Sequence, residues 1–366
     1  MTNIIIHLIV AARPNFMKVA PLYHALCKEG WCTPVLIHTG QHYNSNMSDT
    51  FFRDLNLPNP DWHLGVGSGT HAEQTAGVMI AYEKVCQKQR PDWVIVVGDV
   101  NSTMACAITA KKLNLKVAHL EAGLRSRDMS MPEEINRLIT DAISDLLWTP
   151  SPDADENLLR EGIPETKIVR VGNIMIDSLE MLRSKIDSEN ASAAFGLTPG
   201  SFGVVTLHRP VNVDDLDHLK IIVLSLIEIS EKLPLIFPVH PRTRSRLKEI
   251  GIYSVLKTAH NLHLTEPQTY IHFMSLVMNA RLVITDSGGV QEETTYLNIP
   301  CLTLRENTER PITILHGTNR LVNIDTLVKT VVSVISAKKN INSPIEFWDG
   351  HTAGRIVQNL KEASIE

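Results

Sequence analysis

Short β-branched apolar runs recur along this chain, each trailed by a longer stretch with helical character. In the first half the strands are expected at 4–10 (IIIHLIV), 35–39 (VLIHT), 92–97 (DWVIVV), 116–120 (KVAHL), 146–149 (LLWT) and 168–171 (IVRV). Helices fit between most of them, including 14–28, 71–88, 101–113 and 133–144. A run that is apolar at successive positions has no polar face to offer water. It belongs in a parallel sheet covered by helices on both sides. The pattern then restarts, with strands at 202–207, 235–239, 262–264, 281–284 and 301–304 and helices at 214–232, 242–250, 268–278, 288–297 and 325–337. The stretch 184–201, rich in Ser, Ala, Asn and Gly and containing Pro199-Gly200, reads as a linker or loose loop. The fold class is α/β, most simply two doubly wound halves facing each other across a cleft. A last helix at 351–364 is not placed by periodicity.

A length of 366 residues suits two ordinary domains. With 43% hydrophobic and 20% charged residues the chain is not globally disordered. A net charge of −5 provides no basic field for nucleic acid, although a local cationic pocket for a small anion needs none. The five cysteines (27, 32, 86, 106 and 301) are odd in number and form no CxxC pair. They read as reduced thiols of a cytoplasmic protein. Residues 4–12 follow no Lys or Arg and are interrupted by His7, so a buried first strand is expected rather than a secretion signal. No run approaches about eighteen apolar residues, so no membrane span is expected.

Ligands of doubly wound sheets sit at the carboxyl ends of strands, and chemistry-bearing residues follow strands here repeatedly. Arg13 and Lys18 flank the start of the first helix, a natural anion site. The GVGSG run at 65–69 lacks both a preceding buried strand and the GxGxxG spacing, so it reads as a flexible loop and not a nicotinamide site. Asp99 follows the most apolar strand through Gly98, where a turn or cap role competes with chemistry; Asn101-Ser102-Thr103 can cap the next helix. Glu121 takes the analogous place after the following strand, and Glu133, Glu134 and Arg137 open the helix after that. Each acid alone reads as structural. Three acidic clusters at successive strand ends fit acid–base chemistry better.

In the second half His208-Arg209-Pro210 and His240, Arg242 and Arg244 end two strands. No HxH, HExxH or Cys/His spacing suggests a metal. The sharpest motif is ITDSGGVQEE at 284–293. Its glycines let backbone N–H groups approach a pyrophosphate, Ser287 adds a hydroxyl, and Glu292 or Glu293 can accept from ribose. Arg305 and Arg310 follow the next strand, where Arg310 can clamp a phosphate.

Taken in order, ARPNFMKVAPL, TGQH, GDVNST, HLEAGLRS, PEEINR, VGNIMIDSL, HRP, PVHPR, TDSGGVQEE and TERP resemble the non-hydrolysing UDP-N-acetylglucosamine 2-epimerase family nearly end to end. The SRAEYG-like opening of the hydrolysing relatives is absent. The resemblance implies two Rossmann-like domains of glycosyltransferase-B type facing a central cleft. Residues 1–172 with 352–366 would carry the catalytic carboxylates, and 173–351 would bind UDP. It implies interconversion of UDP-GlcNAc and UDP-ManNAc through 2-acetamidoglucal, with no nicotinamide and no metal. The expected partners are a UDP-sugar and a second copy in a homodimer, with no nucleic acid and no membrane. The implied catalytic residues are Asp99, Glu121, Glu133 and His208. The implied UDP contacts are Arg13, Lys18, Gln268, Phe273, Ser287, Gly288, Gly289, Glu293 and Arg310, where Phe273 could instead be core and Gln268 a cap. An activating second UDP-sugar would meet Gln41, Arg209 and His240. Two departures bear on that second site: HRPVN replaces HRRE or HREN, and Gly69 stands where many members have Gln, with Gln74 as a substitute. The rival readings are a 2-epimerase of another UDP-sugar such as a 2,3-diacetamido uronate, a glycosyltransferase of the same fold, and a nucleotide-sugar-binding regulator without turnover.

Overall fold

The computed structural model describes residues 3–11, 13–40, 53–338 and 343–365. The chain divides into two compact units, Met1–Leu182 with Glu346–Glu366, and Arg183–Ile345.

The strands of the first unit are β1 Ile4–Val10, β2 Cys32–His38, β3 Trp62–His63, β4 Trp93–Val97, β5 Lys116–Leu120, β6 Leu146–Thr149 and β7 Ile168–Arg170. All pair in parallel, in the order β3-β2-β1-β4-β5-β6-β7. Every residue of β4 is buried, as an all-apolar run requires. Helices α1 Arg13–Leu26, α2 His71–Lys88, α3 Asn101–Lys112, α4 Pro132–Ile143, α5 Pro152–Arg160 and α6 Ile174–Ser188 cover the sheet. On one face Ile9, Ile37, Val94 and Val96 pack against Val78 and Tyr82 of α2 and Ala105 and Cys106 of α3. Each such buried aliphatic side chain contributes roughly 1.5–3 kcal/mol.

The second unit holds β8 Gly203–Thr206, β9 Leu235–Pro238, β10 Leu262–Thr265, β11 Leu282–Thr285, β12 Cys301–Thr303 and β13 Asn319–Leu321, in the order β10-β9-β8-β11-β12-β13 and again parallel. Its helices are α7 Pro210–Val213, α8 Leu216–Ser230, α9 Pro241–Glu249, α10 Tyr253–Thr258, α11 Tyr270–Met278, α12 Gly288–Tyr296, α13 Ile312–Leu315 and α14 Ile324–Ser336. The strand order reverses about β1/β4 in one unit and about β8/β11 in the other. Those are the switch points where such sheets open a crevice.

Three expectations from sequence are corrected. Strands β3 and β13 were not anticipated, because Trp62-His63 and Asn319-Arg320-Leu321 offer no apolar run. The supposed linker 184–201 is largely ordered: α6 runs to Ser188, and a 3-10 turn at Ala191–Phe195 buries Ala191 and Ser192. Asn101, Ser102 and Thr103 do not cap α3, since its N-cap is Val100 and Thr103 instead donates to the Val97 carbonyl (2.9 Å). Residues 65–69 form a loop as expected; beyond it, Thr70 and Glu73 form a reciprocal capping box on α2.

The final helix, α15 Thr352–Ile365, belongs to the first unit and buries Ile356, Val357 and Leu360. Its start is fixed by a side chain from another helix. Asp177 of α6 accepts from the backbone N–H of Thr352 (3.1 Å) and Ala353 (2.8 Å). Trp148 Nε1 donates to Asn359 Oδ1 (2.8 Å) further along. Asp177→Ala would strand two buried N–H groups and should lower the stability of this unit by about 2 kcal/mol, read from the urea midpoint at constant slope.

Candidate active site

In the first unit the charged groups gather beyond β1, β4 and β5. Gly98, at φ +68°, turns the chain out of β4 and presents Asp99, whose side chain is 34% exposed. A Cβ on Gly98 would lie 3.3 Å from Lys18 Nζ and 3.4 Å from Glu121 Oε2, so those two groups crowd the same turn. Lys18, from the second turn of α1, pairs directly with the buried Glu121. Glu121 holds φ at +74°, a left-handed conformation that costs a residue with a Cβ about 1–3 kcal/mol. Neighbouring Asn15 donates to the Val97 carbonyl (2.9 Å), tying the start of α1 to the end of β4. Of Arg13 only the backbone, which opens α1, is described.

Helix α4 sorts its two acids. Glu134 is buried and accepts from Ser126 N (2.9 Å), Ser126 Oγ (3.0 Å) and Arg127 N (2.9 Å), and pairs with Arg137 Nη2 (2.7 Å). Burial alone would raise its carboxyl; those N–H donors and the Arg137 guanidinium together hold it below the usual range. Glu134 therefore clamps the 126–127 loop. Glu133, at the helix start, is half-buried and engaged by no side chain among the described residues. Arg137 is buried and also binds Asp99 Oδ2 (2.5 Å), and Asn136 donates to the Asp99 carbonyl (2.8 Å). Asp99 is thus held by side chains of α4 and is not the cap of α3.

In the second unit Asp286, fully buried beyond β11, gathers the turn beyond β8. It accepts from the backbone N–H of His208 (3.0 Å) and Arg209 (2.9 Å) and from Asn212 Nδ2 (3.2 Å). His208 Nδ1 lies 3.0 Å from its Oδ1. Burial pushes the Asp286 carboxyl up, but the His208 ring and these donors hold it below its ordinary value. The His208 ring centroid is 5.6 Å from that of His240. His240 precedes α9 and accepts from Arg242 N (3.3 Å). Burial and the nearby His208 both lower the His240 ring pKa. The Arg209 Nε is buried with no hydrogen-bond partner among the described residues. Gln41 lies outside the described residues.

Ser287 precedes α12 without a side-chain cap, so the N–H groups of that first turn stay available. Arg310 lies across this helix start: a Cβ on Gly288 would come within 2.6 Å of Arg310 Nη1 and 3.0 Å of Glu309 Oε1. Glycine at 288 is what permits that approach. Around Gly289 a Cβ would meet open space. Glu309 holds Arg310 Nη1 (2.7 Å) on one oxygen and Arg305 Nη2 (2.9 Å) on the other. Burial works against its charge, yet the two guanidinium groups drive its carboxyl far below the usual range. One turn into α12, Glu293 is buried and accepts from Tyr270 Oη (2.8 Å); burial pushes its carboxyl up to about 7. Phe273 of α11 is half-buried while Met274, Leu276 and Val277 form the core face, so its ring is not consumed by packing. Thr269 caps α11, and Gln268 instead donates to Thr265 Oγ1 (3.1 Å) and the Glu266 carbonyl (2.7 Å).

Sequence reasoning quoted Arg137 and Asp286 without giving them work, and missed Tyr270 and Glu309. Tyr270 carried no signal, because a Tyr at a helix start resembles any amphipathic residue. Glu309 stood next to a singled-out arginine, which was signal enough. Among the described residues no group of three or more His, Cys, Asp or Glu is placed to hold a metal ion. No described helix is long and apolar enough to cross a membrane.

Comparison with known proteins agrees with these features. The family model described as UDP-N-acetylglucosamine 2-epimerase matches residues 24–361. The chain is 46% identical to the UDP-N-acetylglucosamine 2-epimerase of Methanocaldococcus jannaschii over 96% of its length and 98% of that protein. It is 37% identical to the UDP-2,3-diacetamido-2,3-dideoxy-D-glucuronate 2-epimerase of Pseudomonas aeruginosa, again over 96% and 98%. The crystal structure of the M. jannaschii UDP-GlcNAc 2-epimerase with UDP-GlcNAc and UDP superposes with a TM-score of 0.89 at 45% identity, covering 98% of this chain and 99% of that one. A sucrose-phosphate synthase from Thermosynechococcus elongatus shares the fold alone (TM-score 0.64, 12% identity), in keeping with two Rossmann-like units of glycosyltransferase-B type.

Glu293 supplies a test that needs no ligand. Between the ordinary value of 4.5 and about 7 the unfolded carboxyl is ionised while the native one keeps its proton. The native state then binds more protons, so stability falls as pH rises through that window and levels off above it. The loss is on the order of 3 kcal/mol. Glu293→Gln should flatten this slope in urea titrations from pH 4.5 to 7.5; an unchanged slope would contradict the assignment.

Proposed function

The chain belongs to the UDP-N-acetylglucosamine 2-epimerase family, and from that premise we propose that it catalyses reversible epimerisation at C2 of UDP-N-acetylglucosamine to UDP-N-acetylmannosamine. The observation that carries the reading is the uncapped start of α12 under the Arg310 guanidinium, a diphosphate receptor built from backbone and one cation. Chemically, removal of the C2 proton leaves its electron pair to form the C1–C2 double bond while the C1–O bond breaks and UDP departs. Reprotonation of the resulting 2-acetamidoglucal on the opposite face, with return of UDP to C1, gives the epimer. The sugar C2–H is a weak acid, so early departure of UDP relieves the base.

Asp99, Glu121, Glu133 and His208 form the proposed acid–base set. Inversion needs proton transfer on two faces, hence more than one such group. Carboxylates near C1 stabilise the positive charge that develops there as UDP leaves. Arg13, Lys18, Arg310, Ser287, Gly288 and Gly289 would take up the charge of the leaving diphosphate. Glu293 would accept from ribose, its ionised form favoured by two hydroxyl donors. Phe273 offers a stacking face and Gln268 an amide for the base. Arg209 and His240, with Gln41, would meet a second, activating UDP-sugar. The carboxylate-bearing domain is proposed as 1–172 with 352–366, and the UDP-binding domain as 173–351. A cytoplasmic place in polysaccharide biosynthesis suits a nucleotide-sugar product and five unpaired thiols.

A homodimer is proposed through the first unit. Ile135 (41% exposed) leaves an apolar surface on a groove of about 370 Å³ between α2, α3 and α4, lined also by Thr75, Met79 and Met104. A second copy presenting the same face would cover it. The relative from P. aeruginosa supports a second reading, epimerisation of a UDP-2,3-diacetamido uronate.

Purified protein with UDP-GlcNAc in D2O should place deuterium at C2 as UDP-ManNAc appears by NMR, and Asp99→Asn should slow both by at least about 100-fold. Absence of label sinks the scheme, and label only with the diacetamido uronate shifts the substrate to the second reading. Ile135→Glu should halve the mass measured by light scattering while leaving the monomer folded.

A further inference from the structure

Behind these acids lies a pair of residues shut off from solvent. His119, at the penultimate position of β5, and Asp141, from the last turns of α4, are 0% and 1% exposed. His119 donates from Nε2 to the Gly98 carbonyl (2.8 Å) and from Nδ1 to Asp141 Oδ1 (2.6 Å). The other Asp141 oxygen accepts from the Gly123 N–H (3.1 Å) and from Arg125 Nη1 (2.7 Å). Arg125 is held in turn by Glu161 (2.8 Å) and by the Leu124 carbonyl (2.8 Å).

Each contact falls beside a residue proposed for chemistry. Gly98 precedes Asp99. Gly123 closes the turn that begins with Glu121, and Asp141 lies on the helix that carries Glu133 and Arg137. Gly98, Glu121 and Gly123 have φ of +68°, +74° and +81°, a region open to the two glycines but costly for Glu121, and a Cβ on Gly123 would collide with the Ala154 carbonyl oxygen. A strained residue such as Glu121 keeps one geometry only when its surroundings over-determine it. A buried charge-assisted pair bonded to both turns and to the helix does that.

We infer that His119 and Asp141 are positioning residues that fix Asp99, Glu121 and Glu133 in one mutual geometry. The inference rests on the acid–base set proposed above. Neither residue touches substrate. Their contribution is to hold proton-transferring oxygens where a displacement of about 1 Å would cost on the order of 100-fold in rate.

The side-chain amides of Gln and Asn separate the two bonds. His119→Gln keeps a donor near the Nε2 position, toward Gly98, and gives up Asp141. His119→Asn keeps a donor near Nδ1, toward Asp141, and releases the Gly98 carbonyl. Asp141→Ala offers neither acceptor, so it lets go of the ring and the Gly123 turn together. Deuterium incorporation at C2, kcat and KM are measured with UDP-GlcNAc well below the lowest melting temperature, beside UDP affinity by calorimetry. At least about a tenfold fall in kcat and in label uptake is expected in every folded variant, with KM and UDP affinity within about twofold. A merely structural role would lower the melting temperature and leave kcat alone, and that result overturns the inference. Should the His119 variants not fold, Asp141→Ala decides by the same split. Loss of Gly123 amide protection in hydrogen exchange then marks the released turn. Wild-type protein that incorporates no deuterium defeats the parent reading, and this is visible before any variant is made.

Discussion

Two-sided burial of parallel strands is the constraint from which the other features follow. A strand such as Trp93–Val97, buried at every position, has no site along its length for a charge. Ionic groups are displaced to the turns beyond the strands, and helices that pack on the sheet begin at the same edge. Their unpaired N–H groups bring partial positive charge there. The strand order then selects which turns are left open, at β1/β4 in one unit and β8/β11 in the other. Asp99 and Lys18 stand at the first switch point, with Glu121 one strand further on. His208, Asp286 and Ser287 stand at the second.

How far this was legible depends on the length of the signal. Strands such as Ile4–Val10 and Trp93–Val97 and helices such as His71–Lys88 were readable, since several periods of burial are written into them, whereas Pro152–Arg160 and Ile174–Ser188 were not named as helices and part of the latter was read as linker. Trp62–His63 and Asn319–Leu321 were not readable, because their pairing is decided by neighbours distant in sequence. Composition misled at 184–201, where small residues suggested a loose linker but pack against α11 through Ser275 Oγ, which donates to the Glu189 carbonyl (2.6 Å). Among the site residues, those directly after a strand could be nominated from sequence. Which acid of the pair 133–134 is structural could not, because it turns on Ser126 and Arg127 folding back onto Glu134. Motif resemblance supplied roles for Phe273, Gln268 and the final helix that patterning could not.

Several cations of both units arrive already paired. Lys18 is held by Glu121, Arg310 by Glu309 and Glu292, and Arg305 by Glu309. Such pairing limits the cost of burying a charge, and it fixes each cation before a ligand arrives. A bound diphosphate would have to share these cations with carboxylates already present. That favours moderate ground-state affinity and leaves room for stronger interaction as charge develops on a leaving group.

The same accounting distinguishes the acids. Arg137 is one buried cation between two carboxylates, Glu134 and Asp99. Glu134 is the more buried of the two and is satisfied by three further donors, so Arg137 and Glu134 balance each other. Asp99 is left as the surplus negative charge, the more exposed partner, held in place by a hydrogen bond to its own carbonyl from Asn136. Of the two carboxylates on Arg137, Glu134 is committed to the clamp on the 126–127 loop, and Asp99 is therefore the one left open to a ligand while the backbone around it stays where it is.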